Sequence, residues 1–307
     1  MTRGKRLTAG LAAGAATIAA LAVGHHAVMT RSRAVFEARH PKPPSAVVAA
    51  TDPLAIAEGR RLAAVTGCTL CHGPALAGPT MGGPGATFRA PNLTRIVGHR
   101  SDADLDRAIR DALNPDATSE LVMPSYAYRA FTDEEVADIL GYLRTLQPQG
   151  RSFNPPPPGF LPRLVAALGQ FHTQTDRLAK ARPALDLGPA TAQGRHVAVV
   201  VCGQCHGSDL AGGEGLPGPD ITVRDFITRA EFHELMRTGN QPQNAHSELM
   251  QEAARSGLHA LTPAEVDALY DYLMARDVRI SQTQPTRRYA STAPPPAASA
   301  PPAGTGR

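Results

Sequence analysis

The first apolar pattern in the chain is a continuous one. Leu7 to Gly24 runs for 18 residues of mainly Ala, Leu, Ile and Val without a charge, behind Arg3, Lys5 and Arg6. That length stands at the lower limit for spanning a bilayer. Two readings of it stay open. A cleaved signal peptide has the same basic start and apolar middle, with Ala20-Leu21-Ala22 as a small-residue cleavage site. An uncleaved anchor fits the basic flank and the lack of a helix breaker before that site, and it is the preferred reading. Either one carries the rest of the chain out of the cytoplasm.

Further on, the apolar positions recur with helical spacing. Val136, Ile139, Leu140 and Leu143 fall at i, i+3, i+4 and i+7, and Val266, Leu269, Tyr270 and Leu273 repeat the pattern. Thr132 with Glu135, and Thr262 with Glu265, form capping boxes at the two starts, and Pro263 suits a first helical turn. Residues 102–113 and 229–238 predict a second helix in each half, and 53–66 and 190–200 a third. Residues 163–180 read as a short amphipathic helix between the halves. The connecting loops are rich in Gly and Pro and show no strand alternation.

The two halves match one another in detail. Gly59-Arg60 stands nine residues before Cys68, and Gly194-Arg195 eight before Cys202. Leu76-Ala77-Gly78 corresponds to Leu210-Ala211-Gly212, and Pro91-Asn92-Leu93-Thr94 to Pro219-Asp220-Ile221-Thr222. Ser101–Arg110 pairs with Thr228–Arg237 at a constant offset of 127. The chain is therefore read as two copies of one unit of roughly 90 residues.

Length and composition agree with that division. The chain has 307 residues, about two domains' worth. With 28 Gly and 28 Pro, much of it must be turns and linkers. The boundaries expected are an anchor or signal at 1–30, a tether at 31–51 and a first unit at 52–148. A Pro-rich linker at 149–189, a second unit at 190–277 and a disordered tail at 278–307 follow. The linker holds Pro155 to Pro158, a stiff run without backbone donors. The tail is Pro, Ala, Ser, Thr and Gly with arginines, a composition that builds no core.

Charge excludes one class of partner. The net charge is +4, but it divides as +6 over 1–51, −3 over 52–148, +3 over 149–190, −6 over 191–277 and +4 over 278–307. Both folded units are acidic and the basic excess lies in the ends and the linker. No nucleic-acid face is expected from that distribution.

Cysteine usage is the most specific signal. The four cysteines fall in two pairs, each followed at once by histidine: Cys68-Thr-Leu-Cys71-His72 and Cys202-Gly-Gln-Cys205-His206. Cys-x-x-Cys-His is the attachment signature of c-type haem. Two thiols at i and i+3 reach the vinyl groups on one porphyrin edge, and the adjacent imidazole becomes the iron's axial ligand. A Cys₄ zinc site would not need a histidine after each pair. Thioredoxin-like motifs would need βαβ patterns, and disulfides across two residues would stabilise little. The expectation is two covalently bound haem c groups, each with its iron, as the cores of two small helical units. The fold class expected is all-α: two tandem haem-wrapped domains after an N-terminal apolar helix.

With these motifs, the Pro-Asn-Leu-Thr and Pro-Asp-Ile-Thr segments, Met123-Pro124 and the Thr-x-x-Glu-Val…Tyr-Leu endings, the chain resembles membrane-anchored bacterial dihaem cytochromes c. The resemblance covers residues 53–148 and 190–277. It implies a sixth iron ligand from a methionine in the loop before the last helix. Met123, beside Pro124 and 51 residues after His72, is expected in the first unit, with Met81 only nine residues past His72 as a surface or packing residue. The offset of 127 carries Met123 onto Met250, 44 residues after His206, and places Met236 at the core position of Ile109. Met274 falls on the last helix. His246 is the rival ligand in the second unit, while His99, His172, His233 and His259 lack repeat partners and read as surface or structural. Tyr142 and Tyr272 repeat on the last helix, as core or as neighbours of the haem.

The resemblance further implies an electron carrier rather than an enzyme. Its expected partners are a dehydrogenase or quinol-oxidising complex on one side and an oxidase or soluble cytochrome on the other. The expected place is the periplasmic face of a bacterial inner membrane. The alternatives are a dihaem redox enzyme of peroxidase or thiosulfate dehydrogenase type, which needs one iron without a methionine, or a haem subunit of a membrane dehydrogenase.

Overall fold

A computed structural model describes residues 3–78, 90–152, 157–212, 218–224, 227–241 and 247–283, with side chains from residue 12 onward. Met81, Pro155, Pro156, His246 and residues 284–307 of the expected tail lie outside the described residues. The described residues are helical, with three isolated bridges and no strand.

Helix α1, Arg3–Phe36, continues past the boundary expected at residue 30. Over Ala12–Phe36 it is long and apolar enough to cross a membrane, and none of its most apolar stretch is buried against the protein. The segment that follows is not a free tether. His40 N–H donates to Ala117 O at 2.9 Å, Arg107 Nε to Pro43 O at 2.8 Å, Ala49 N–H to Asp102 Oδ2 at 2.8 Å and Ala50 N–H to Ala137 O at 2.9 Å. Residues 39–50 thus lie along the first unit, with Val47 buried in its core.

That unit is built on a crossing of α2, Pro53–Val65, with α7, Asp133–Arg144. Asp52 caps α2 through the amides of Leu54 and Ala55, and the Thr132–Glu135 capping box starts α7. The apolar stripe Val136, Ile139, Leu140 and Leu143 is buried. The backbones approach closely where Gly59 faces Asp138. A Cβ on Gly59 would lie 1.8 Å from Asp138 O, so only glycine serves there. Between them stand α3, Cys68–His72; α4, Leu93–Ile96; α5, Asp102–Asp111; and α6, Ser125–Tyr128.

The linker forms two helices where one was expected. α8, Phe160–Ala167, ends before Gly169 at φ +75°, and α9, Gln174–Lys180, restarts from a Thr173–Asp176 capping box. α8 packs on α1 and α9 on α6.

Residues 189–283 repeat the order. α10, Ala192–Val197, crosses the last helix with Gly194 against Ala268 O, where a Cβ would stand 1.9 Å away. α11, Gly203–His206, α12, Arg229–Thr238, and α13, Glu248–Ser256, lead to α14, Pro263–Thr283. α14 runs six residues past the boundary expected at 277. The one-residue difference in spacing before the cysteine pairs has a structural form. α2 stops at Val65 and turns through Gly67 at φ +75°, whereas a π-helical turn, Ala198–Cys202, leads straight into α11.

Candidate haem-attachment sites

Each Cys-x-x-Cys-His run forms a short helix stopped by glycine: α3 by Gly73 at φ +85° and α11 by Gly207 at φ +82°. The chain then folds back through the same bonds in both halves. Gly78 N–H donates to His72 O at 3.0 Å and Gly212 N–H to His206 O at 2.8 Å. Leu93 N–H donates to Leu76 O at 2.9 Å and Ile221 N–H to Leu210 O at 3.0 Å. Leu76 and Leu210, both fully buried, share the left-handed backbone at φ +54° and +61°.

The fold-back aims the histidines. His72 Nδ1 pairs with Pro91 O at 2.8 Å, and His206 Nδ1 with Pro219 O at 2.7 Å. A carbonyl only accepts, so Nδ1 carries the proton and Nε2 keeps its lone pair. This orientation is typical of metal-binding imidazoles. Burial holds both imidazoles below the usual histidine range, against the opposing pull of the carbonyl bond, and so favours the neutral ligand form. In the second half a Cβ on Gly218 would lie 2.6 Å from His206 Nδ1, so the ring depends on that glycine.

No disulfide joins the four cysteines, which are half-buried. Burial pushes the Cys68 thiol up to about 11 and the Cys202 thiol up to about 12, and raises Cys71 and Cys205 in the same direction. Burial thus favours the thiol form of each pair, spaced at i and i+3 beside an imidazole that burial keeps toward its neutral form. Two thiols, one lone pair and an apolar surround suit covalent haem. Among the described residues, no cluster of His, Cys, Asp and Glu suits a bare metal ion.

The expected distal residues have different settings. Met123 lies in a bend just before Pro124 and α6, as the loop position requires. Met250 is in the first turn of α13, its N–H capped by Ser247 Oγ at 3.3 Å, so it is helical rather than in a loop. Both are half-buried and pack against the core. Met236 is buried at 3% exposure, and Met274 is half-buried on α14. His233 pairs with Asp267, His259 Nδ1 with Ala254 O, and His99 and His172 are exposed. Tyr272 donates to Leu185 O at 3.1 Å from a fully buried ring, while Tyr142 is half-buried.

The two motifs also meet. α6 sits on α11 and the π turn, and α13 on α3. Tyr126 OH donates to Gln204 O at 2.6 Å. Tyr128 OH donates to Thr66 O at 2.6 Å and stands 3.3 Å from Gln204 Oε1. The residues just before Cys68 and Cys205 are thus joined through one phenol. Cys71 and Cys205 are close enough for one thiol to raise the other. Flanking this contact, Arg61 spans Glu265 with bonds of 2.8 and 2.9 Å, and His196 Nε2 meets Glu135 Oε1 at 2.7 Å. Arg61 and His196 are equivalent in the repeat, as are Glu265 and Glu135. The halves therefore pack about an approximate twofold axis.

In each half a short helix thus presents two thiols and one imidazole from a helical scaffold. Residues 56–147 match the family model for cytochrome c. Residues 56–147 are thus a cytochrome c domain, which implies covalently bound, iron-bearing haem c, and members of that family generally carry electrons. No curated protein matches the chain.

Proposed function

We propose that the chain is a membrane-anchored dihaem cytochrome c that relays electrons on the periplasmic side of a bacterial inner membrane. In this reading the second half is a further cytochrome c domain. It takes electrons from a dehydrogenase or quinol-oxidising complex and passes them to an oxidase or soluble cytochrome. The observation that carries the reading is the repeated imidazole geometry, Nδ1 to Pro91 O and to Pro219 O, behind two identical attachment motifs.

Cys68, Cys71, Cys202 and Cys205 would form the thioether links, His72 and His206 would offer Nε2 to the iron, and Met123 and Met250 would supply sulfur ligands. When bound, the haem supplies a reversible one-electron couple. Histidine and methionine together leave no position open to a substrate, and a neutral soft sulfur favours the reduced state, as a carrier requires. Tyr126, Tyr128 and Gln204 hold the two motifs together, and Arg61 with Glu265 ties the halves at the edge of that contact. α1, with Arg3, Lys5 and Arg6 on the cytoplasmic flank, is the anchor.

The test is haem content. Denatured full-length protein should stain for haem on a gel with two groups' added mass, and a Cys202→Ala/Cys205→Ala variant should keep one. Release of the pigment into acidified acetone, or an unchanged content in the double variant, would reject the assignment. In the oxidised protein, Met123→Ala and Met250→Ala should each remove half of the sulfur-to-iron absorption. An unchanged band in either would strike that methionine from the ligand set.

A further inference from the structure

The start of α8 has a composition that neither haem unit uses. Phe160 is 51% exposed and Leu161 69% exposed, just after Pro157-Pro158-Gly159. Its one charged residue, Arg163, is turned inward instead. Nη1 of Arg163 donates to Ser32 Oγ at 3.1 Å, Nη2 pairs with Glu37 at 3.7 Å, and the guanidinium stands 5.9 Å from the Phe36 ring.

The contacts with α1 fix the level of this apolar tip. The Phe160 ring stacks on His25, with centroids 5.6 Å apart and planes within 10°. Phe171, beyond the end of α8, meets Phe36 at 5.2 Å. α8 thus starts at His25 and runs toward the end of α1. His25 is the residue after the uncharged stretch Leu7–Gly24, whose 18 residues rise about 27 Å, close to the roughly 30 Å of a bilayer's hydrocarbon core. The exposed Phe160 and Leu161 therefore stand where the hydrocarbon gives way to headgroups. The charges of α1 resume only at Arg31, on the far side of that level.

We propose that the first turn of α8 is seated in the interfacial layer of the bilayer that α1 crosses, as a second membrane contact. The inference rests on the reading of α1 as a retained membrane helix. Its consequence is orientation. α8 is bonded to α1, α9 packs on α6, and residues 39–50 lie on the first unit, so a two-point seat fixes how both haem motifs face the membrane. Aromatic and aliphatic side chains at this depth gain from partial burial while flanking polar groups stay hydrated.

The chain contains no tryptophan, so Phe160→Trp provides a single reporter. The full-length haem-loaded variant is reconstituted in phosphatidylcholine vesicles, plain or brominated near the headgroup end of the acyl chains. Comparing the two vesicle types in one protein cancels quenching by haem. The expected result is emission lower by about twofold or more in the brominated vesicles, with protection from aqueous acrylamide. Leu161→Trp, which disturbs no ring stack, should behave alike. Emission insensitive to bromine and open to acrylamide in both variants, in protein that floats with the vesicles, would overturn the proposal while leaving the anchor intact. Protein that fails to float would overturn the anchor itself, and this seat with it.

Discussion

The packing of the two halves turns on Arg61, and its removal is the most direct test of it. Arg61 donates to both carboxylate oxygens of Glu265 and to Ala260 O across the interface, at 2.8, 2.9 and 3.2 Å, and is itself oriented by Glu58. Charge-assisted bonds of this kind contribute about 1.5–3 kcal/mol each when buried. Both side chains keep part of their surface in water, at 24% and 17% exposure, which screens the pair. A coupling of about 1–2 kcal/mol is therefore expected from the cycle Arg61→Met, Glu265→Gln and the double variant. For a body of this size that is roughly 3–6 °C in the midpoint. The assay is thermal unfolding followed by far-ultraviolet circular dichroism and by haem absorption. The two signals should fall together in the wild type and separate in Arg61→Met, as the halves lose their cooperativity. The matching His196→Ala, which removes a single bond to Glu135, should cost about half as much. Two independent transitions in the wild type, or a coupling within a few tenths of a kcal/mol of zero, would refute the twofold packing.

Two further outcomes follow from the same geometry. Gly194→Ala, whose Cβ would stand 1.9 Å from Ala268 O, forces α10 away from α14 and should destabilise by about 1–3 kcal/mol or more in chemical denaturation. Gly24→Ala, in open space on α1, meets no clash and should not destabilise. For pH, burial pushes Glu135 and Glu265 up, but His196, Arg61 and the capping amides of Thr132 and Thr262 outweigh it and hold both below the usual glutamate range. Their stabilising share is complete above about pH 4.3, the unfolded value, and is lost as pH falls through the lower folded values. The stability difference between wild type and Glu265→Gln should accordingly shrink below that pH, as read by urea titration.

Much of the helical framework was legible because the repeat states it twice. The stripes Val136–Leu143 and Val266–Leu273 and the caps Thr132 and Thr262 need only local chemistry to be read. The contact between the motifs was not legible, because the repeat breaks there. The positions that answer to Tyr126 and Tyr128 at the offset of 127 are Ala253 and Arg255, so no duplicated signal marks those tyrosines. The helical placement of Met250 was hidden for a similar reason. Proline follows Met123 and keeps it out of a helix, whereas Gln251 follows Met250 and lets α13 form around it from the Ser247 cap.

The loops behind the two histidines show how one scaffold is closed in two ways. Pro91 and Pro219 hold the imidazoles alike, but the next residues differ. Asn92, 1% exposed, donates to Gln149 O and Arg151 O and accepts from Thr94 Oγ1, so the start of the linker seals the first loop with neutral bonds. A boundary at 148 cuts through that seal. Asp220 instead accepts from Arg276, 2% exposed, whose guanidinium also donates to Ile221 O and Leu210 O. Asp277 beside it takes the amides of Val223 and Arg224. Burying the guanidinium carries a desolvation cost, which these bonds from Nη1 and Nη2 and the part-exposed Asp220 offset. α14 has to run past residue 276 to deliver that pair, whereas α7 stops at Arg144 and leaves the task to the returning chain. His206 consequently lies in the field of Asp220 and Arg276, while the surroundings of His72 are shaped by burial and the Pro91 carbonyl. The two histidines, held alike by Pro91 O and Pro219 O, thus stand in different electrostatic settings, and under the proposed dihaem reading the two irons would have unequal potentials.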